Sequence, residues 1–446
     1  MKALKILVVI AIVLGLVLAG LVFMVTRFVE QPEFRQQLVS LASKATGTPV
    51  EIAELKVSIF SGIELRGVAI GNPPGYAGKF LTAQSFVLRY RLWPLLRKRI
   101  EVKTLVFDSP VITLAKNAKD EWNYDKIGGA TEKVTPTGPT EAPSASTGGL
   151  DISVQNIEMK NAAVVMVKAD GKELLRIQGA SFASAVQMAG GQLSGTGNAR
   201  IELVNAANSL FVREMATPVA LTPTAVTLAP LTGKLAGGEV TGDAGLSLAG
   251  DSQYKVNLRV KDADMVTLMK EASAPAVFMG GKMQLTAALT GTGGLETMAG
   301  SGNMEIVGGQ LVNIPLLNLL ATLLQVPALQ NLKFDEFRME FTIATNVMLT
   351  PVISIKSPQV QITGQGAVGL ADYALNHTFK LTLAAAALDR APKEVRNVFT
   401  KLESGQYAID FKVWGPYDAP KTDLQTRLAV GVGEQLLEKG LKKLLK

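Results

Sequence analysis

The chain has 446 residues and a formal net charge of +7, and its composition is 48% hydrophobic and 19% charged, with a mean hydropathy of +0.25. It contains no cysteine, which excludes disulfides, thiolate metal sites and cysteine nucleophiles. The single histidine, His377, would have to carry any Ser-His-Asp triad or histidine metal site alone. We therefore expect no enzymatic activity, no metal and no cofactor.

The N-terminus contains an uncharged, mostly apolar segment at residues 6–26, preceded by Lys2 and Lys5. A helix of this length spans about 30 Å, which is the thickness of a bilayer core. The lysines before it predict that residues 1–27 form a cytoplasmic N-terminus and a transmembrane anchor, with the bulk of the chain on the other side. A cleaved signal peptide is the alternative, but no small-residue cleavage site follows the apolar segment.

Residues 28–127 predict a helix-plus-strand module. An amphipathic helix is expected over residues 33–46, where Phe34, Leu38 and Leu41 recur at helical spacing. Strand-like segments follow at residues 50–58, 63–70, 82–92, 100–107 and 111–115. Residues 128–149 are rich in Pro, Thr, Gly, Ala and Ser without periodicity, which predicts a disordered linker.

Residues 150–430 predict a second module, built mainly from strands. Apolar and polar residues alternate over residues 254–261 and again over residues 341–349. Each of the two segments predicts one strand. One apolar and one polar face indicate antiparallel strands with one solvated side. Helices are predicted over residues 264–273, 314–326 and 388–402. Residues 431–446 predict a basic amphipathic C-terminal helix, which either lies on an anionic membrane or caps the sheet.

Short Gly-x-Gly segments begin at Gly195, Gly300 and Gly364. They indicate either one strand–turn unit used repeatedly or turn chemistry alone. The segment at Gly364 also fits the dinucleotide pattern G-x-G-x-x-G, but the following residues predict a turn and a strand where that site requires a helix. His377 has no nucleophile or carboxylate motif near it and is predicted to lie at the end of a hairpin.

Two groups of residues are predicted at a membrane interface, because basic and aromatic side chains suit the lipid headgroup region. Solvated strand ends around a turn at Pro94 are the alternative for the first group. Nucleic acid is not expected as a partner, since the module is predicted to lie outside the cytoplasm. The interface candidates are Arg89, Arg91, Trp93, Arg97, Lys98 and Arg99 in the first group and Lys439, Lys442 and Lys443 in the tail.

Several segments, in this order, resemble the AsmA family: the anchor, "ELKVSIFSGIELRGVAIGNPPGYAG", "SPVITLAKNAKDEWNYDKI", the linker, and the stretch from "GSGNMEIVGG" to "HTFKLTL". The resemblance implies a mainly β fold, in which an N-terminal transmembrane helix precedes an elongated, curved antiparallel β-sheet groove with a few short helices. It also implies a single-pass protein of the bacterial inner membrane with its bulk in the periplasm, linked to phospholipid transport and outer-membrane biogenesis.

Under this interpretation the apolar sheet face lines a groove for lipid acyl chains, and the headgroup stays in water. The same alternation fits a filled sandwich core, and the pattern does not separate the two. A second functional alternative is a regulator or assembly factor for protein insertion into the outer membrane, acting through contacts with periplasmic or outer-membrane proteins. The candidate groove residues are Val256, Leu258, Val260, Ile343, Val347, Leu381 and Phe411.

Overall fold

The structure is a computed structural model, and it describes residues 33–58, 62–91, 99–127, 151–189, 192–249, 252–274, 276–292, 297–324, 326–388, 393–417, 419–424 and 426–427. The fold is mainly β with few helices, as predicted, and strands make up 66% of the described residues. The predicted anchor at residues 6–26, the linker at 128–149 and the tail at 431–446 lie outside the described residues. No helix among the described residues combines the length and apolar character needed to span a bilayer.

The helices are short, and most of the chain runs in strands of ten or more residues. The helices are α1 (Glu33–Thr46), α2 (Met265–Glu271), α3 (Pro315–Leu324), α4 (Ala385–Leu388) and α5 (Lys393–Arg396), with 3-10 turns at Asn123–Lys126 and Pro327–Leu329. The strands are β1 (Val50–Ser58), β2 (Gly62–Gly71), β3 (Lys79–Tyr90), β4 (Arg99–Asp108), β5 (Val111–Ala115), β6 (Asp151–Val154), β7 (Asn156–Val167), β8 (Glu173–Ala189), β9 (Gln192–Ala206), β10 (Leu210–Leu221), β11 (Ala225–Leu235), β12 (Gly238–Ser247), β13 (Gln253–Asp264), β14 (Met279–Thr292), β15 (Ala299–Val312), β16 (Asn331–Ala344), β17 (Val347–Lys356), β18 (Val360–Gly369), β19 (Ala374–Leu383), β20 (Thr400–Lys401), β21 (Tyr407–Pro416) and β22 (Lys421–Thr422).

The chain divides into two compact units. The first unit comprises Met1–Lys234 and Asp243–Tyr254, and the second comprises Leu235–Gly242 and Lys255–Lys446. The division does not fall at residues 128–149, and the strands on either side of those residues pair directly with each other. The predicted modules at residues 28–127 and 150–430 stay predictions.

The first unit contains a hydrophobic core. Helix α1 has the predicted bounds and places Leu38 and Ala42 against the first strands, with Leu88 of β3 and Leu105 of β4 almost fully buried. The helix also covers the edge of β1, because Arg35 donates to the carbonyl oxygen of Ala53 at 2.7 Å. Covering the unpaired groups of an edge strand limits pairing with other chains.

Three strand pairings in the first unit are parallel, so the prediction of antiparallel strands is wrong there. Strand β4 pairs with β6 and β7, and β5 pairs with β7, all in parallel. Parallel neighbours need a crossover connection of a dozen or more residues, and residues 116–150 supply that length between β5 and β6. Strands β1 through β4 pair antiparallel in sequence, as do β3 with β5 and the strands from β7 through β10.

The second unit contains a run of antiparallel strands from β14 through β19, followed by β21. Register shifts interrupt the pairing between Gly280 and Lys282, between Glu340 and Thr342, and between Thr350 and Ile353. Such bulges bend a strand and increase its twist.

The predicted single strand over residues 341–349 is wrong, because it is a hairpin. Thr345 and Asn346 both have positive φ, at 46° and 63°, and Ala344 pairs with Val347. Two central residues of positive φ are the signature of a type I′ turn, whose twist matches the flanking strands. The turn ends β16 and starts β17, so Val347 shares the face of Ala344 and lies on the opposite face from Ile343.

Two of the three predicted helices in this unit are present, as α2 and α3. The predicted helix over residues 388–402 is wrong in its second half, where Thr400 and Lys401 form β20 and pair with Ala408 and Tyr407. The turn between them contains Gly405 with a φ of 83°, a conformation that glycine adopts without steric cost. Local hairpin formation therefore replaces the end of the helix.

Candidate functional site

Cross-strand pairing in the second unit builds two continuous apolar rows on one face of seven strands. Each row takes one residue from each of β14 through β19 and from β21, and its members pair directly from strand to strand. The inner row is Met283, Ile306, Phe337, Ile355, Ile362, Leu381 and Ile409. The outer row is Leu285, Met304, Met339, Ile353, Gly364, Phe379 and Phe411.

A polar row lies on the opposite face, at the positions between the two apolar rows. It crosses the same seven strands through the same registers. Since successive side chains in a strand point to opposite faces, one face is apolar and the other polar over this whole region. The polar row is Gln284, Glu305, Arg338, Ser354, Thr363, Lys380 and Asp410.

The two apolar rows differ in burial. In the inner row every residue except Ile362 is buried, with Ile306 at 0% exposure and Leu381 at 1%. In the outer row every residue except Phe411 is only partly buried. The apolar face is therefore a packed core along one row and only partly buried along the next.

Glycines on the apolar face lie beside aromatic rings of the neighbouring strand. A Cβ atom added at Gly302 would collide with the ring of Phe341, and one at Gly364 with the ring of Phe379. Each ring thus occupies the space that the side chain of any residue other than glycine would need at that position. The Gly-x-Gly segments at Gly300 and Gly364 lie inside strands, and their glycines provide room for close strand contact and flat aromatic rings.

The aromatic residues at one side of the face form a stacked series. The ring of Phe379 stacks on Phe411 with centroids 5.6 Å apart, and on His377 with centroids 5.7 Å apart. His377 lies inside β19, is 6% exposed, and has its Nε2 atom 2.8 Å from the hydroxyl oxygen of Thr350. Burial lowers the pKa of His377, so the ring is neutral near pH 7. The prediction of a histidine at a hairpin end is wrong.

The candidate groove residues lie in several environments. Leu381 belongs to the inner row and Phe411 to the outer row, and both are buried. Val260 and Ile343 are buried, Val256 and Leu258 are partly buried, and Val347 lies on the polar side of the β16–β17 hairpin. Their role in lipid binding stays a prediction.

The interface candidates are mostly outside the described residues. Trp93, Arg97 and Lys98 are among those outside, as are the tail residues Lys439, Lys442 and Lys443. Arg89 and Arg91 are exposed at the end of β3 and beyond it, and Arg91 pairs with Glu101 at 3.5 Å. Arg99 is the first residue of β4.

The accessible residues of the outer row were not among the candidates from the sequence. Alternation marks each strand separately, but the rows arise from registers between strands that are distant in the chain. A partial signal exists in the repeated Met and Ile residues at Met304, Met339 and Ile353, since flexible Met side chains suit adaptable apolar surfaces.

No group of three or more His, Cys, Asp or Glu side chains is placed to hold a metal within the described part of the chain. The fold and this face define a mainly β protein with an accessible apolar sheet surface. The AsmA family model matches residues 1–201, which confirms the resemblance to the AsmA family over that part of the chain. The stretch from "GSGNMEIVGG" to "HTFKLTL" lies outside the match, and its resemblance stays a prediction. No curated protein and no solved structure matches the chain.

Proposed function

We propose that the protein binds acyl chains of membrane phospholipids against the outer row of the second unit. In this proposal it is anchored in the bacterial inner membrane by residues 6–26, extends into the periplasm, and contributes to lipid transport and outer-membrane biogenesis. The chain acts by binding and carrying, and not by catalysis. The family match at residues 1–201 is consistent with a role of this kind.

The observation that carries the proposal is the partial exposure of the outer row. A filled sandwich would bury both apolar rows equally, because a second sheet packs about 10 Å away across the entire face. Here the inner row is buried while Leu285, Met304, Met339 and Ile353 remain partly accessible. Contiguous apolar surface that stays accessible is often a site of ligand or lipid binding.

The dimensions of the outer row suit an acyl chain. Seven strands at about 4.8 Å spacing place its ends about 29 Å apart. Two acyl chains end to end fill a bilayer core of about 30 Å, so one chain needs about half that length. Each methylene group transferred from water to this surface contributes about 0.8 kcal/mol.

The rows allow a sharp test at three consecutive positions of β17. Ile353 belongs to the outer row, Ser354 to the polar row and Ile355 to the inner row. A photo-crosslinking amino acid is placed at each position in the full chain, which is irradiated in bacterial cells and examined for lipid adducts by mass spectrometry. We expect a phospholipid adduct at position 353 and none at position 354.

The third position controls for burial, since a probe at Ile355 is expected to react with protein atoms and not with lipid. Equal lipid adducts at positions 353 and 354 would show nonspecific labelling and contradict the proposal. Absence of adducts at all three positions, in a folded protein, would contradict it as well.

A further inference from the structure

A cavity of about 680 Å³ lies across strands β12 to β17 of the second unit. Several of its lining residues form two adjacent cross-strand rows: Thr286 pairs with Asn303, which pairs with Glu340, and Ser301 pairs with Thr342. Asn303 directly precedes Met304 of the outer row, so these rows lie on the polar face. Hydroxyl, amide and carboxylate groups thus line part of the cavity, beside the apolar side chains of Leu258, Phe341 and Pro351.

The two charged side chains in this lining, Glu340 and Arg259, differ in whether they already form an ion pair. Glu340 is already paired, since its Oε1 atom lies 2.6 Å from Nη2 of Arg338. Arg259 of β13 is exposed and makes no ion pair within the described part of the chain. The cavity therefore presents an available guanidinium group next to neutral hydrogen-bonding side chains.

This combination selects a chemical class of ligand. A guanidinium donates parallel hydrogen bonds to a phosphate, and its planar fork matches the phosphate oxygens better than an ammonium group does. Hydroxyl and amide side chains such as Ser301, Thr342 and Asn257 both donate and accept, as the hydroxyls of a polyol require. An apolar ligand would cover the hydroxyls of Ser301 and Thr342 without offering them hydrogen bonds, at a cost in free energy.

We propose that this cavity binds a phosphorylated polyol, with Arg259 as the ligand to the phosphate. The phosphorylated polyol is either free in solution or the headgroup of a phospholipid. The site goes beyond the proposed function, because its two polar rows lie on the face opposite to the outer row. Its failure would leave acyl-chain binding at the outer row unaffected.

The test measures binding to the purified full chain in detergent, by native mass spectrometry. The probes are glycerol 3-phosphate, phosphatidylglycerol and diacylglycerol, which lacks the phosphate. Loss of a charge-assisted hydrogen bond predicts that Arg259→Gln weakens binding of a phosphate-bearing probe about tenfold or more. Arg259→Lys should restore part of this affinity, because it keeps the charge and loses the fork.

The matched control is Lys261→Gln, which removes an exposed cation two residues along the same strand and outside the lining. It should leave both phosphate-bearing probes unaffected. Binding of glycerol 3-phosphate would identify a site for the free compound. Binding of phosphatidylglycerol alone, weakened by Arg259→Gln, would identify a headgroup site. The proposal is overturned if neither phosphate-bearing probe binds or if Arg259→Gln has no effect. It is also overturned if Lys261→Gln weakens their binding as much as Arg259→Gln does, or if Arg259→Gln weakens diacylglycerol binding equally.

Discussion

The Nε2 atom of His377 in β19 lies 2.8 Å from the hydroxyl oxygen of Thr350 in β17, across the intervening strand β18. Gly366 occupies the position between them, and a Cβ atom there would collide with the His377 ring. Two polar side chains thus meet on the apolar face because the residue between them has no side chain. Both are buried, so each satisfies the other.

Burial of His377 predicts a pH dependence of stability. Its pKa is lowered in the folded state, so the unfolded chain binds a proton more readily as the pH falls below about 6.5. The stabilisation is therefore complete above the unfolded pKa and is lost as the pH falls toward the folded pKa. Denaturant unfolding monitored between pH 7.5 and pH 5 should show this loss.

His377 is the single histidine of the chain, which makes the control clean. The variant His377→Gln keeps a hydrogen-bonding group for Thr350 and does not titrate in this range. The unfolding free energy of this variant should lack the part of its pH dependence that comes from the histidine. A wild-type slope that survives in this variant would show that other groups titrate there.

The contact of Gly364 with the Phe379 ring predicts that Gly364→Ala destabilises the second unit. The ring stacks between His377 and Phe411, so it cannot move away from an added methyl group. Overpacking of this kind costs about 1–3 kcal/mol. Denaturant unfolding of the full chain measures the change.

The control is Gly280→Ala in β14, where an added Cβ would meet Gln310 at an ordinary contact distance of 3.5 Å. Its φ is not in the left-handed region, so the substitution is compatible with the backbone. We expect a change within about 0.5 kcal/mol. Equal effects of the two substitutions would show that the aromatic ring is not the cause.

The buried side chain of Asn123 holds the end of the first module. Its Oδ1 accepts from the backbone nitrogen of Ala115 at 3.0 Å, and its Nδ2 donates to the carbonyl oxygen of Thr113 and to Oδ1 of Asn72, both at 2.8 Å. Asn123→Ala leaves these buried groups unpaired, which costs about 1–3 kcal/mol. Hydrogen exchange measured by mass spectrometry should show faster exchange over residues 111–127.

Asn117 provides the comparison, since it caps an exposed turn in the same segment. Its bonds to backbone nitrogens are open to solvent, so water replaces them in Asn117→Ala. Exchange should rise only within the turn at residues 117–121. If the amides of residues 111–116 exchange equally slowly in both variants, Asn123 does not hold this segment.

Aspartate substitutions in β17 should separate core from binding surface. Ile355→Asp places an unpaired charge in the buried inner row and is expected to destabilise the second unit by more than about 3 kcal/mol. Ile353→Asp changes the partly exposed outer row, so folding should survive while the phospholipid that co-purifies decreases. Ser354→Asp lies on the polar face and should change neither quantity. Circular dichroism and lipid mass spectrometry measure the two effects.

Local patterns predicted the elements whose signals are contained within one segment. Helix α1 has the predicted bounds because its apolar spacing and the glycine after it act within fourteen residues. The hairpin at Thr345 and Asn346 was missed, since alternation continues through a two-residue turn although the faces exchange. The Asn346 side chain type was the available signal, because asparagine tolerates positive φ.

The candidate site depended on information that no single segment contains. Val260, Ile343 and Leu381 each lie on an apolar strand face, but their burial depends on which residues of neighbouring strands they meet. Register sets those neighbours, and it is fixed by bulges and turns between strands. The sequence therefore predicted an apolar face, and the structure distinguished its buried inner row from its accessible outer row.

The central claim is that the outer row carries lipid acyl chains. The most direct measurement is quantitative mass spectrometry of phospholipid that co-purifies with the full chain, compared with the Ile353→Asp variant prepared in the same detergent. We predict phospholipid in near-stoichiometric amount with the wild type and a marked loss with the variant. A folded wild type without phospholipid, or equal amounts in both proteins, would contradict the claim.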